Sequence, residues 1–173
     1  MHIPTHILSG WCVANLFPIN ANERLLCMIA ATIADVDGIG FFFGEKVYWD
    51  YHHTVGHNLF FGLIASSIIA MFATRRLLVA GLSLASFHLH LLMDYFGSGP
   101  GWPIHYLWPS HAMILRNHAA WEFSSWQNMA VFAGLSVWTV LIAKTRKRTP
   151  LELLLSRFDD ALFKKSQTAN PLP

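Results

Sequence analysis

The chain has 173 residues, of which 54% are apolar and only 13% charged, with a net charge of +2 at pH 7. Soluble domains carry roughly 25% charged residues, so the balance points to one membrane domain, a very apolar soluble helical domain being the alternative. The small net charge, without a basic patch interleaved with aromatics, speaks against nucleic acid as a partner. Cys12 and Cys27 form no C-x-x-C pattern, against both a disulfide scaffold and a cysteine zinc site.

The N-terminus has no basic stretch and no separate apolar core, so no cleavable signal peptide is expected and the protein's own helices would insert it. Thr5 to Phe17 is a short apolar segment with Thr5 as a possible N-cap. The turn at residues 18–22 leads to a second apolar segment, Leu25 to Ala34. At roughly 20 Å of helix or less, each is too short for a bilayer core of about 30 Å. They read as a hairpin of half-length helices. His6 lies eleven residues before Phe17 and Asp35 eleven after Arg24, so antiparallel pairing brings His6 and Asp35 to one end. Gly38 to Asp50 reads as a loop carrying Phe41-Phe42-Phe43.

Leu59 to Ala73 and Leu77 to Tyr95 form a longer helical hairpin with Arg75-Arg76 at its turn. The end of its second helix holds His90 and Asp94, which share a face because helical residues four apart stack. Such groups in an apolar helix are costly unless paired or ligated. Gly97 to Ser125 is a long aromatic connection of the kind found at a membrane–water interface, functional or mobile. Met129 to Ala143 is the last apolar helix, followed by the basic cluster at residues 144–148. The expected fold is all-α: an integral membrane bundle of about five helices, two short and three long, over residues 1–148. An amphipathic helix opened by a Thr149/Glu152 capping box, then a disordered tail, would occupy residues 149–173. Positive charge at residues 75–76 and 144–148 places both in the cytoplasm and the histidine-rich end outside.

Ten histidines equal the Asp and Glu count together. His6, Asp35, Asp37, the His52-His53-x-x-x-His57 segment, and His90 with Asp94 gather at one end of the expected bundle. Imidazoles and carboxylates suit zinc, manganese or iron, and one to three divalent ions could be shared. Asp35 and Asp37 stand about 200° apart on an α-helix, so only a helix end turning to loop lets both face one site. His52 and His53 compete for one role. His88 lies on the face opposite His90 and reads as a packing residue. His105, His111 and His118 read as surface histidines, His105 being the candidate substrate contact.

The segment Thr5-His6-Ile7-Leu8-Ser9-Gly10, the Asp-x-Asp at 35 and 37, HHTVGHNL, and HLHLLMD followed by a Gly-rich turn and Trp-Pro resemble the bacterial inner-membrane-associated metal-dependent hydrolases, also described as LexA-binding and distantly related to zinc-dependent phospholipase C and nucleases. The resemblance covers roughly residues 4–110. It implies His6, Asp35, His57, His90 and Asp94 as metal ligands, zinc as the metal, and a multi-pass protein of the bacterial inner membrane. Where the family usually has H-R-x-x-T-H-S, this chain has His53 for the arginine, Gly56 for Thr and Asn58 for Ser, while His52 and His57 match. The function expected is a membrane-bound metal-dependent hydrolase acting on a phosphoester or lipid-linked substrate through metal-activated water. Asp37 and His52 are the acid–base candidates, and membrane lipid is the expected partner. The alternative is a non-enzymatic membrane protein whose His and Asp residues serve helix packing or partner binding; a transporter is a weaker third reading, for want of spans.

Overall fold

In the computed structural model, which describes residues 1–110 and 112–153, the first two helices form the expected short hairpin. Helix α1 (Ile3–Ala14) carries Pro4 in its first turn, where a missing N–H leaves no intrahelical bond unmade. It starts earlier than expected: the cap position is His2, and Thr5 lies fully buried inside the helix. Helix α2 (Ala21–Ala30) opens on a capping box, with Asn20 Oδ1 accepting from Glu23 N–H at 2.9 Å and Glu23 Oε2 accepting from Asn20 N–H at 3.0 Å. The two helices meet at Gly10, where a Cβ would stand 2.7 Å from Ala31 Cβ and from Cys27 O. Any larger residue would push them apart.

The stretch after α2 departs from the expected loop. A 3₁₀ helix spans Ile33–Phe43, and α3 follows at Glu45–Tyr51. Then come α4 (Leu59–Met71), α5 (Arg76–Gly97) and α6 (Trp126–Arg146). Among the described residues there is no strand, only an isolated bridge between Ile104 and Leu115. Among the described residues the all-α bundle stands, with seven helical elements where about five were expected before the C-terminal amphipathic helix.

Helices α5 and α6, of 22 and 21 residues, are long and apolar enough to cross a membrane. Helix α2 and the 3₁₀ helix qualify together as one span, bent by 48° at their junction. The 13 residues of α4 reach only about 20 Å. The described residues thus offer two candidate spans, or three with the bent one. Large apolar side chains on α4 (Ile64, Met71) and α6 (Val137, Leu141) face outward, as lipid contact requires.

The bundle has two chemically distinct ends. At one, Arg148 Nε donates to Asn15 Oδ1 at 2.9 Å and Arg75 Nη1 to Pro18 O at 2.6 Å. Arg24 forks onto the Glu152 carboxylate at 2.5 and 2.6 Å, and buried Glu23 accepts from Arg75 N–H at 2.8 Å. At the other end, the start of α1 meets the end of α5 and the start of α6. His2 packs on Phe123 with ring centroids 4.1 Å apart, and buried Asn128 donates to Gly97 O and Phe123 O, both at 2.8 Å. Glu152, expected in a capping box, is thus turned to Arg24. The amphipathic helix expected beyond it lies, from residue 154 on, outside the described residues.

Candidate metal centre

Helix α5 supplies the first two groups. His90 and Asp94 are buried one turn apart, with His90 Nε2 3.0 Å from Asp94 Oδ2. His90 Nδ1 donates to Ala31 O at 2.8 Å, so the proton sits on Nδ1 and Nε2 carries a lone pair toward the site.

His57 enters from the connection between α3 and α4. Asn58 fixes that connection: its Oδ1 accepts from Phe61 N–H at 2.8 Å, capping α4, while its Nδ2 donates to Thr54 O and Val55 O at 3.0 and 2.7 Å. Gly56 passes so close to the 3₁₀ helix that a Cβ would stand 2.0 Å from Ala34 O; its N–H donates to Asp37 Oδ2 at 2.9 Å. This close approach accounts for glycine at that position.

The two aspartates grasp opposite sides of the His57 ring. Asp37 Oδ2 accepts from His57 Nδ1 at 2.9 Å, and Asp35 Oδ1 lies 3.8 Å from His57 Nε2. A 3₁₀ helix turns about 120° per residue, so residues two apart are splayed, and the imidazole stands between them. Both aspartates therefore serve one site from a helical segment, without the loop that the α-helical spacing demanded.

These fixed tautomers bring His57 Nε2 and His90 Nε2 within 3.1 Å of each other. With both Nδ1 protons given to oxygen acceptors, two lone pairs face one another in a buried space. That arrangement repels unless a cation or a shared proton lies between them. Asp94 Oδ2 is 3.4 Å from His57 Nε2, and Asp35 Oδ1 is 3.6 Å from His90 Nε2. One ligand atom from each of Asp35, His57, His90 and Asp94 lies within 4.8 Å of every other, and the group could hold a metal ion. A tetrahedral ion with bonds of about 2.0–2.1 Å requires ligand separations of about 3.3 Å, and the observed edges bracket that value. Asp35 Oδ2 is buried with no partner. Burial opposes a charged His57, yet the carboxylates of Asp37 and Asp94 outweigh it and raise its pKa to about 9. The site is thus built to hold positive charge.

A second group, Asp37, His52 and His57, meets the same distance test. In it Asp37 Oδ1 accepts from His52 Nδ1 at 2.7 Å. Asp37 is thus shared between His57 and His52, and the His52 ring stacks on Tyr48 at 4.7 Å. His6 packs tilted against His90 with ring centroids 3.8 Å apart, and its Nε2 lies 3.3 Å from Asp94 Oδ1 without hydrogen-bond geometry. It stands beside the four-residue group on the Asp94 side, not in it. The Met1 amino group pairs with Asp94 as well, and with Ser98 Oγ at 3.0 Å.

His53 is the residue that spacing passed over. Its backbone is left-handed, at φ +65°, a conformation that non-glycine residues seldom adopt. That turn buries the ring, stacks it on His57 at 4.3 Å and sets Nε2 3.7 Å from Asp94 Oδ2, leaving Nδ1 without a partner. Burial, with His57 beside it, holds His53 neutral. Reading His52 and His53 as rivals missed that each has its own place; the adjacent pair was the only signal.

Asp35, His52, His53 and Asp94, with Tyr48 and Trp102, line a cavity of about 300 Å³. A neighbouring cavity of about 480 Å³ shares Asp35, Tyr48, His52 and Phe123 and extends to Ile3 and Gly38. His105 is absent from the described lining of both; its backbone N–H donates to His53 O at 3.2 Å. His88 bonds Leu84 O and Tyr106 Oη at 2.8 and 3.0 Å, away from the site. His118 is exposed, and His111 lies outside the described residues.

No curated protein and no solved structure matches the chain. A family model described as YdjM inner membrane protein matches residues 1–158, most of the sequence. The chain, with its two or three candidate spans and its buried His/Asp group, therefore belongs to the YdjM inner membrane protein family.

Proposed function

We propose that this inner-membrane protein is a metal-dependent hydrolase acting on a phosphoester, with its first ion held by Asp35, His57, His90 and Asp94. The observation that carries the reading is the pair of Nε2 atoms facing each other at 3.1 Å, each left toward the site by the bond its Nδ1 makes and needing a cation or a shared proton between them. Two imidazoles and two carboxylates are a donor set that suits zinc. An ion there supplies Lewis acidity toward a phosphoryl oxygen and acidifies water toward neutral pH.

The other residues take their roles from position. Asp37 orients His57 from behind and, through its other oxygen, fixes the tautomer of His52. His52 lines both cavities with Nδ1 already engaged, so its Nε2 is the place to accept and return a proton. Neutral His53 faces the cavity as a hydrogen-bonding group for substrate. Tyr48 and Trp102 cover the site and limit water. The arginine-rich end lies in the cytoplasm by the positive-inside rule, which puts the cavity on the opposite side.

The test is hydrolysis of bis(4-nitrophenyl) phosphate by protein stripped of metal and reloaded with zinc or manganese. Turnover that appears on reloading and vanishes in His90→Ala and Asp94→Ala is expected. Metal-replete, folded protein that hydrolyses no phosphoester would overturn the assignment. One observation favours the non-enzymatic reading: the His90–Ala31 bond ties α5 to the end of α2. If helix tying is the whole role, a chelator leaves thermal stability unchanged.

A further inference from the structure

We propose that the substrate is a phosphoester-headed membrane lipid that enters the cavity from the bilayer, its apolar part lying on Ile3, Ile39, Phe41–Phe43 and Phe123. The phosphoester half of this statement rests on the hydrolase reading; the lipid half rests on the rim.

The floor and rim of the cavity differ in kind. Its floor is Asp35, His52, His53 and Asp94, and no described residue lining either cavity is Lys or Arg. The Met1 amino group, which lines both cavities, is already paired with Asp94, so an anionic head group would find its main countercharge at the metal centre. The 3₁₀ helix, which gives Gly38 to the wider cavity, carries open apolar side chains just beyond it: Ile39 is 57% exposed, and Phe41, Phe42 and Phe43 are 67%, 83% and 74% exposed. Phe41 meets Tyr48, a residue lining both cavities, edge-on at 6.1 Å, and Phe42 meets Phe41 at the same distance. On the other side, Ile3 and Phe123 line the wider cavity and are themselves more than half exposed. Three consecutive phenylalanines facing water would be an unusual exposed patch; facing lipid they are ordinary.

Depth agrees. Asp94 and His90 lie three and seven residues before the end of α5, so about 5 and 10 Å inside the end of a candidate span. In a helix of about 33 Å crossing a hydrocarbon core of about 30 Å, that is just below the boundary between head groups and acyl chains. The rim-bearing 3₁₀ helix is itself half of the bent candidate span, so the rim is continuous with the membrane-facing surface. A water-soluble phosphoester would need no apolar rim and no centre at this depth.

The experiment uses full-length protein in phospholipid nanodiscs with a phosphatidylglycerol carrying a photoactivatable diazirine near the top of one acyl chain. Adducts are mapped by mass spectrometry, with dihexanoyl phosphatidylglycerol as competitor. Adducts at Ile39, Phe41–Phe43 and Phe123 that the competitor removes are expected. Phe42→Lys should lower them about tenfold, the loss of one buried aromatic contact, while Met71→Lys, on the outward face of α4, leaves them unchanged. Rim adducts no more frequent than those on the outer face of α6, or insensitive to competitor and to Phe42→Lys, would overturn the proposal. Competitor-sensitive rim adducts on a protein that cleaves no phosphoester would refute the hydrolase reading and leave the lipid site standing. Cleavage of bis(4-nitrophenyl) phosphate without rim adducts would do the reverse.

Discussion

The two ends of this bundle use charge in opposite ways. At the arginine end the polar groups close on one another: Arg24 on Glu152, Arg75 and Asn20 on Glu23, Arg148 on Asn15. At the histidine end they close only in part. Asp35 Oδ2, both nitrogens of His6 and Nδ1 of His53 are buried without a hydrogen-bond partner, and His57 Nε2 and His90 Nε2 stand 3.1 Å apart, a spacing that needs a cation or a shared proton between them. Buried polar groups in native proteins are nearly always paired, so the first end is structural and the second awaits something from outside the chain.

That contrast can be broken at either end. The largest effect is expected from His90→Ala or Asp94→Ala, which remove a ligand each: bound metal should fall to background by elemental analysis while circular dichroism keeps its helical signal. Asp37→Asn should be milder, because Asp37 touches His57 and not the ion. Loss of such an orienting carboxylate weakens metal binding by about 10–100-fold, read by competition with a chelating dye. Proton competition gives a third measure. With the His57 pKa raised to about 9, metal must displace a proton below that pH. Affinity should then rise about tenfold per pH unit toward pH 9 and flatten above it. The smallest effect belongs to the closed end. Glu23→Ala removes the side-chain half of the α2 capping box and leaves the Asn20 and Arg75 N–H groups without their acceptor, costing about 1–3 kcal/mol in denaturant titration, with metal content untouched.

Helical periodicity was enough to align His90 with Asp94, and equal arm lengths were enough to bring His6 and Asp35 to one end. Both are properties of regular helices, which a sequence displays directly. The places it did not display are irregular. The segment from Gly38 to Asp50 reads as loop because its glycines and aromatics carry no helical stripe, yet 3₁₀ and α turns form there, packed beside the His52–Asn58 connection. His53 depends on one left-handed residue, which no side-chain pattern announces. The start of α1 slipped because a proline at its second position opens a helix as well as Thr5 would have capped one. His6 sits where the hairpin argument puts it, but its imidazole lies against the His90 ring, a contact that rotamers and packing decide. The roles of Asp35 and Asp37 on opposite sides of one ring follow from tertiary contact with His57, which is distant in the chain.

The central claim is that His57, His90, Asp35 and Asp94 form a centre for a divalent ion. Its most direct test is metal content with X-ray absorption on protein purified in mild detergent without added chelator. The account predicts at least one tightly bound ion per chain, with nitrogen and oxygen neighbours at about 2.0–2.1 Å, absent from folded His57→Ala protein. Wild-type protein holding no more metal than His57→Ala, whatever ion is supplied, would contradict it.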